Sequence, residues 1–310
     1  MATFRPATPD QAAFLAELVA RRLLIETGVP GLYGRGGAFE DTRERVAALV
    51  TRAAAGEAPE QLRFPPVLPR RDLETVGYLK SFPHLAGSIF AFSGSETQAA
   101  EQYERACRHE DWSEFQEMTD LVLTPAACYP VYPAIAARGR LPQGGVTVDA
   151  GGAYIFSREP SGDPARLQMF HQREIVRLGE PETVQAWRDS WRDRAVELLR
   201  GIGLEVALDI ATDPFFGRSG RMLAASQREQ QLKFEVLVQI AGPEPTAVAS
   251  FNYHQDHFAS AYGLELADGA GAQTACLGFG LERITLALFR THGFDPEAWP
   301  PGVRGELWGA

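Results

Sequence analysis

The sequence predicts an α+β fold in which helices flank an antiparallel sheet. Strand-like runs cluster after about residue 120, separated by proline and glycine turns. A few long amphipathic helices accompany them, and no regular βαβ alternation appears. The division falls near residue 118. Residues 1–118 read as a mainly helical N-terminal region packed on a core over 119–310.

Thr8-Pro-Asp-Gln11 has the form of a capping box with proline at the first helical position. Phe14, Leu15, Leu18, Val19 and Leu23 follow as a helical stripe expected to end near Gly28. Residues 29–38 are glycine-rich and read as a loop. A second helix is expected over 40–55, with Val46, Leu49 and Val50 on one face. The segment 58–71 carries prolines and arginines and reads as extended, and a helix follows from Glu96 to Cys107, with continuation towards Met118 left open.

Beyond it, Leu121-Val-Leu-Thr-Pro125 is apolar, and Pro130, Pro133, Pro142, Gly144 and Gly145 mark turns. Strands are expected at Gly-Gly-Val-Thr-Val148, at Ala153-Tyr-Ile-Phe156 and over 169–176. After Pro181, Val184, Trp187, Trp191, Ala195 and Leu198 recur at helical spacing until Gly201 and Gly203. Further strands are predicted at 204–211, 232–240 and 246–253. The last is Cys276-Leu-Gly-Phe-Gly, running into a helix that Gly293 stops.

The chain has 310 residues, enough for a large core in one or two domains. Its net charge of −10 argues against a protein that binds nucleic acid mainly through phosphates. Arg63 with Arg70 and Arg71 is the one short basic candidate patch. No apolar run is long enough to cross a membrane, and the N-terminus lacks a signal-like apolar stretch, so the cytoplasm is expected. Three dispersed cysteines, 107, 128 and 276, fit a reducing compartment, and spacing alone makes them buried apolar fillers. Only two of the 30 basic residues are lysines, Lys80 and Lys233. Lys80 is read as without function. Lys233 lies on a strand pattern that puts Leu232, Phe234 and Val236 on one face and Lys233 with Glu235 on the other.

Gly278 and Gly280 let a ligand approach the backbone, and Arg283, charged at any working pH, stands where it can meet a polyphosphate. The string Gly-Phe-Gly-Leu-Glu-Arg ending at Arg283 resembles motif 3 of class II aminoacyl-tRNA synthetases, in which the arginine holds the ATP phosphates. Phe156-Ser-Arg-Glu159, a turn-rich loop and a returning strand resemble motif 2, whose strand ends in Phe-Arg-x-Glu. Here Ser157 stands at the arginine position, and Arg158 is displaced by one. Successive strand residues face opposite ways, so Arg158 replaces the missing group only where a bulge or twist redirects it.

Further strings narrow the resemblance: Asp163-Pro-Ala-Arg166, Arg173-Glu-Ile-Val-Arg-Leu-Gly179, Asp213-Pro-Phe-Phe-Gly-Arg218 and Ser250-Phe-Asn-Tyr-His-Gln255. Together, over about residues 120–295, they are similar to the amino acid:carrier protein ligases, truncated relatives of zinc-dependent seryl-tRNA synthetases. The resemblance implies a class II synthetase-like sheet and a catalytic Zn²⁺ on Cys128, Glu174 and Cys276. Three protein ligands leave a fourth position open, as a catalytic zinc requires. It implies a nucleotide contact for Lys233, ATP contacts for Glu159, Arg166, Ser250, Asn252 and Arg283, and substrate contacts for Asp213, Ser250 and Asn252. Arg283, Lys233 and Arg158 would act with Mg²⁺ on the ATP phosphates. His254 and His257 are read as loop or interface residues.

The implied reaction joins a small amino acid, glycine or alanine-like, to AMP and passes it to the phosphopantetheine thiol of a carrier protein. A homodimer is implied as well. A tRNA-charging enzyme is disfavoured by the net charge. Ser157 keeps open a synthetase-like binding protein without adenylation chemistry. An acidic carrier protein would need a local basic or apolar patch, for which Arg63, Arg70 and Arg71 or the N-terminal helices are the candidates.

Overall fold

The computed structural model describes residues 4–309, save the side chains of residues 152 and 153. The capping box at Thr8 forms as expected: Thr8 Oγ1 accepts from Gln11 N–H, and Gln11 Oε1 accepts from Thr8 N–H. Helix α1 spans Pro9–Ala20 and ends earlier than its stripe suggests. Arg22 takes φ +56°, and the chain turns into a short hairpin of β1 (Leu24–Glu26) and β2 (Tyr33–Arg35). The glycine-rich segment therefore contains a strand. Gly36 is needed there, because a Cβ would sit 1.9 Å from the carbonyl oxygen of Arg22.

Helix α2 (Gly37–Ala54) buries Val46, Leu49 and Val50. The segment 58–71 is extended only in β3 (Glu60–Leu62) and β4 (Val67–Pro69), and α3 (Arg70–Thr75) starts before it ends. Lys80 lies exposed on the short α4 (Tyr78–Ser81). After β5 (Ser88–Phe92), α5 (Glu96–Cys107) stops at Cys107, and Gln116 to Leu123 form β6 (Gln116–Leu123) instead of more helix. Cys107 is exposed, so the filler reading fails for it. The prolines at 130 and 133 bracket and enter α6 (Val131–Ala136) rather than open turns.

The two strand runs near 148 and 155 are one strand, β7 (Val146–Phe156), which pairs with β8 (Met169–Gly179). Helix α7 (Pro181–Gly201) buries Val184, Trp191 and Ala195 as the stripe predicts. Next come β9 (Val206–Ile210), a helix not foreseen, α8 (Gly217–Glu229), then β10 (Lys233–Val238) and β11 (Thr246–Gln255). Helix α9 (His257–Tyr262) precedes β12 (Gln273–Gly280), α10 (Leu281–His292) and α11 (Pro301–Trp308). Gly293, at φ +89°, ends α10 as expected.

The main sheet has seven strands in the order β3-β7-β8-β12-β11-β10-β9. Every pairing is antiparallel except β3 with β7 at one edge. A separate sheet, β4-β6-β5, lies outside it. Alternation along the strands gives the main sheet two unlike faces. On one, Phe234, Phe251, Leu277 and Phe279 join Trp191 of α7 and Leu288 and Phe289 of α10 in a core that also takes Phe14, Phe39 and Val46. Burying each such side chain contributes about 1.5–3 kcal/mol. The other face is polar in its middle. A second apolar cluster, which includes Tyr132, Phe258, Val148 and Leu178, borders it.

Candidate active site

The register across four strands assembles the polar face. Lys233 on β10 pairs with Asn252 on β11, and Asn252 pairs with Cys276 on β12. The next file runs from Glu235 to Ser250, Gly278 and Glu174 of β8. Cross-strand partners share a face, so these side chains all project to one side. Lys233, Asn252, Cys276, Ser250 and Glu174 floor a cleft of about 520 Å³, walled by Tyr78, Phe82, Tyr129, Phe215 and Phe258.

Gly278 also serves the protein's own side chains. A Cβ there would meet Gln172 Nε2 at 2.7 Å and Glu174 Oε1 at 3.3 Å, so the glycine makes room for two protein side chains. Gln172 is thereby drawn into the cleft floor, where its Oε1 accepts from Ala127 N–H at 3.1 Å beside Cys128.

Cys128, Glu174 and Cys276 meet at this floor, each buried, with ligand atoms all within 4.8 Å of one another. Burial pushes the Cys128 thiol well up, and contact with Cys276 and Glu174 adds to the rise. Cys276 gains some relief from its hydrogen bond with Cys128, but burial and the Glu174 charge leave it raised. Burial also pushes Glu174 up to about 7, against hydrogen bonds from Cys128 and Cys276 that favour its charged form. Among the described residues, Glu174 Oε2 has no hydrogen-bond partner. Three groups that resist ionisation in each other's company, with one orphaned carboxylate oxygen, suit a dication that all three can bind. Two thiols with one carboxylate are a zinc-type donor set.

His254 also belongs to this floor and corrects the loop reading. It is the next inward residue of β11 after Ser250 and Asn252, a step of two that alternation could have revealed. Its Nε2 lies 3.5 Å from Cys276 Sγ, and its Nδ1 lies 3.1 Å from Thr274 Oγ1. Asn252 Nδ2 donates to Cys276 Sγ at 3.5 Å, which places Asn252 beside the triad. His257 starts α9 and lines the same cleft.

At the far side of the cleft, Lys233 Nζ donates to Asp213 Oδ1 at 2.6 Å and contacts Glu235 Oε1 at 3.1 Å. Burial alone would lower the Lys233 pKa, but the Asp213 and Glu235 charges outweigh it and hold the ammonium charged. Burial would likewise raise Asp213, yet Lys233 keeps it below the usual carboxylate range. Asp213 thus pairs with the lysine within the protein.

The hairpin between β7 and β8 carries the remaining candidates. The strand ends at Phe156, and a tight turn follows in which Glu159 N–H donates to Ser157 O at 2.8 Å. Arg158 is at the apex of that turn, so strand alternation no longer dictates its direction. It lines a second cavity, of about 290 Å³, with Glu159, Arg166 and Arg5. Arg166 faces Glu159 at 3.6 Å. The N-terminal segment is laced to this loop: Arg5 N–H donates to Pro160 O, and Gly162 N–H donates to Arg5 O.

Arg283 stacks over Phe170 and donates to Ala165 O at 2.9 Å and Ala247 O at 3.0 Å. Burial depresses its pKa, with Arg166 adding to the effect and Glu159 and Glu235 opposing it. Its contacts reach the hairpin loop through Ala165 and the strand β11 through Ala247. Behind it, Glu282 is fully buried and accepts from His171 N–H at 2.8 Å, with His171 Nδ1 at 2.7 Å. The basic patch read from sequence is largely spent: Arg63 donates to Asp149 O, and Arg70 contacts Glu74 and Asp120.

No family model matches the chain. It is 46% identical over 308 residues to amino acid–acyl-carrier-protein ligase 1 of Bradyrhizobium diazoefficiens, across 97% of the chain and 93% of that relative. The chain belongs to the amino acid–acyl-carrier-protein ligase family. It is therefore a ligase. A type-2 serine–tRNA ligase of Methanopyrus kandleri is 25% identical over 291 residues, covering 86% of the chain but 53% of that protein. Among solved structures, the M. kandleri SerRS in complex with A. aeolicus tRNASec superposes with a TM-score of 0.79 at 20% identity, over 96% of the chain and 61% of that structure. This ligase has the class II synthetase fold.

Proposed function

We propose that the chain activates a small amino acid with ATP and transfers it to the phosphopantetheine thiol of a carrier protein. The single observation that carries this reading is the shared polar sheet face. It runs from the Cys128, Glu174 and Cys276 triad to the Lys233 cluster, with Arg283 beside it, in a chain 46% identical to a carrier-protein ligase. In the first step a carboxylate oxygen attacks the α-phosphorus, and the bond to the bridging oxygen breaks. Pyrophosphate leaves with that electron pair. Such a displacement needs alignment and charge neutralisation more than a strong base. Arg283, Lys233, Arg158 and Arg166 supply cations on the nucleotide side, with Glu159 able to accept from the base, and Mg²⁺ would add charge neutralisation there. Ser250 and Asn252 lie between the triad and Lys233, where the reacting carboxylate must sit.

Cys128, Glu174 and Cys276 would hold Zn²⁺, which when bound offers a fourth position to an unprotonated amine. Tyr129, Gln172 and His254 crowd that end of the cleft, which favours a glycine- or alanine-sized side chain. In the second step the thiol sulfur attacks the acyl carbon, AMP leaves and a thioester forms. The thiol proton passes to the departing phosphate or solvent. No cysteine nucleophile of the ligase is required, because the mixed anhydride is already activated.

The acceptor face is α8. Phe216, Met222 and Leu223 are exposed at 55%, 73% and 45%, and Arg218, Arg221 and Arg228 lie on the same helix. Leu223 and Ser226 of this helix also line the cleft, so a docked carrier can reach the site with its arm. Apolar and basic groups together suit an acidic carrier protein. This replaces the patch at Arg63, Arg70 and Arg71. The reading includes a homodimer covering the outer sheet, where Phe90 and Met118 pair across strands and remain exposed. It also places the protein in the cytoplasm, where its thiols stay reduced.

The test is mass spectrometry of a carrier protein incubated with the ligase, ATP and glycine or alanine. The phosphopantetheinylated form should gain one aminoacyl mass and lose it to hydroxylamine, while the unmodified carrier stays unchanged. Equal modification of both forms, or of neither, contradicts the proposal.

A further inference from the structure

Helix α8 has an inward face whose chemistry the reaction above leaves unused. Gln227 projects from it into the main cleft and makes two hydrogen bonds to one residue. Its Oε1 accepts from Asp213 N–H at 2.7 Å, and its Nε2 donates to Asp213 Oδ2 at 2.7 Å. The other carboxylate oxygen, Oδ1, accepts from Lys233 Nζ at 2.6 Å. Gln227 also fastens the start of β10, since its carbonyl accepts from Leu232 N–H, one residue before Lys233.

Asp213 lies outside helix and strand, in the link between β9 and α8, just before Pro214. No ladder hydrogen bond fixes it, so the rotation of its carboxyl group is set by side chains. Gln227 occupies Oδ2 and the backbone N–H together, which turns Oδ1 towards the lysine. A lysine side chain has four rotatable bonds and holds one direction only when acceptors confine it. Lys233 has two: Glu235, two residues on along its own strand, and Asp213, in the link between β9 and α8. Loss of the Gln227 contacts frees Asp213 to rotate and leaves Lys233 to Glu235 alone, drawn back towards the strand.

We infer that Gln227 is a positioning residue that, through Asp213, aims Lys233 at the nucleotide, so that the acceptor-facing helix also sets the ATP side of the site. The inference rests on the functional reading above for the ligand of Lys233. It assigns to α8 a double duty: its outer face meets the carrier, and its inner face orders a phosphate-binding cation. A replacement at 227 should therefore weaken ATP and leave the fold intact.

The experiment is calorimetric titration of zinc-loaded full-length protein with ATP, which needs no turnover. Gln227→Ala should weaken ATP binding about tenfold, the scale of one hydrogen bond to a charged group, while Tm moves by less than about 2 °C. Gln227→Glu, equal in size but like-charged with Asp213, should weaken it further. In an Asp213→Asn background, Gln227→Ala should cost nothing more, because its path to the lysine is already broken. Unchanged ATP affinity in both Gln227 variants, or additive losses in the double variant, overturns the inference. Wild-type protein that binds ATP but shows no pyrophosphate exchange overturns the adenylation reading and leaves the Gln227 comparison decisive. Wild-type protein that does not bind ATP overturns both.

Discussion

Glu174 and Cys276 come from the central strands β8 and β12 and are each 2% exposed, whereas Arg166 and Glu159 sit on the hairpin loop with side chains 39% and 42% exposed. Strand register fixes the first pair to within the tolerance of a sheet, with Gly278 supplying the clearance they need. The loop has no such frame. It is held by the Arg5 bridge and by its own short turn. On the proposed reading, the groups that would present one geometry to a metal sit on the rigid side. The cations proposed to gather around a flexible polyphosphate sit on the adaptable side. On that reading a serine at 157 would be tolerated, because Arg5, Arg158 and Arg166 all line the loop cavity and could share the charge, whereas the triad has no substitute members.

The sharpest break of that contrast lies at the rigid end. Glu174→Ala or Cys276→Ala should abolish bound zinc by elemental analysis and lower amino-acid-dependent turnover by about 10³-fold or more. A Cys276→Ala protein with full zinc and full activity would mean the triad is merely core. The loop end should respond more mildly. Arg158→Ala should lower kcat/KM for ATP about tenfold, and Ser157→Arg should change it by less than about threefold. A gain of about a hundredfold or more from Ser157→Arg would show that the loop lacks a cation the reaction needs, and would favour the binding-protein alternative.

The smallest effect is an acid one. Lys233 holds Asp213 below its ordinary pKa, so the pair stabilises the fold above the ordinary carboxylate value and loses that contribution as pH falls through the depressed one. Asp213→Asn should flatten the acid limb of a Tm-against-pH curve, most visibly below pH about 4. An unchanged limb would mean the ion pair adds nothing to stability.

The parts of the fold that were legible in sequence are those where one periodicity dominates. The alternation of Phe234 and Val236 against Lys233 and Glu235 is what β10 shows, although Leu232 falls just outside the strand and lines the cleft, and the α7 stripe buries as read. Helix α8 was hidden because it buries little: Gly220 is its one buried residue, and Met222 and Leu223 remain exposed. The three-residue strands β1 and β2 are too short for any period to register. His254 was misread because the strand was expected to end at 253 and the zinc set was already assigned elsewhere, whereas the strand continues to Gln255. Proximity of Cys128 to Glu174 and Cys276 is a tertiary fact that only the resemblance anticipated, since Cys128 lies in the turn before α6, far from β12 in sequence.

Pyrophosphate exchange into ATP, measured on zinc-replete protein across the small amino acids, tests the central claim most directly. The account predicts exchange with glycine, alanine or both, and its loss when zinc is removed and restoration when zinc returns. No exchange with any amino acid, from folded protein that holds zinc and binds ATP, would contradict it.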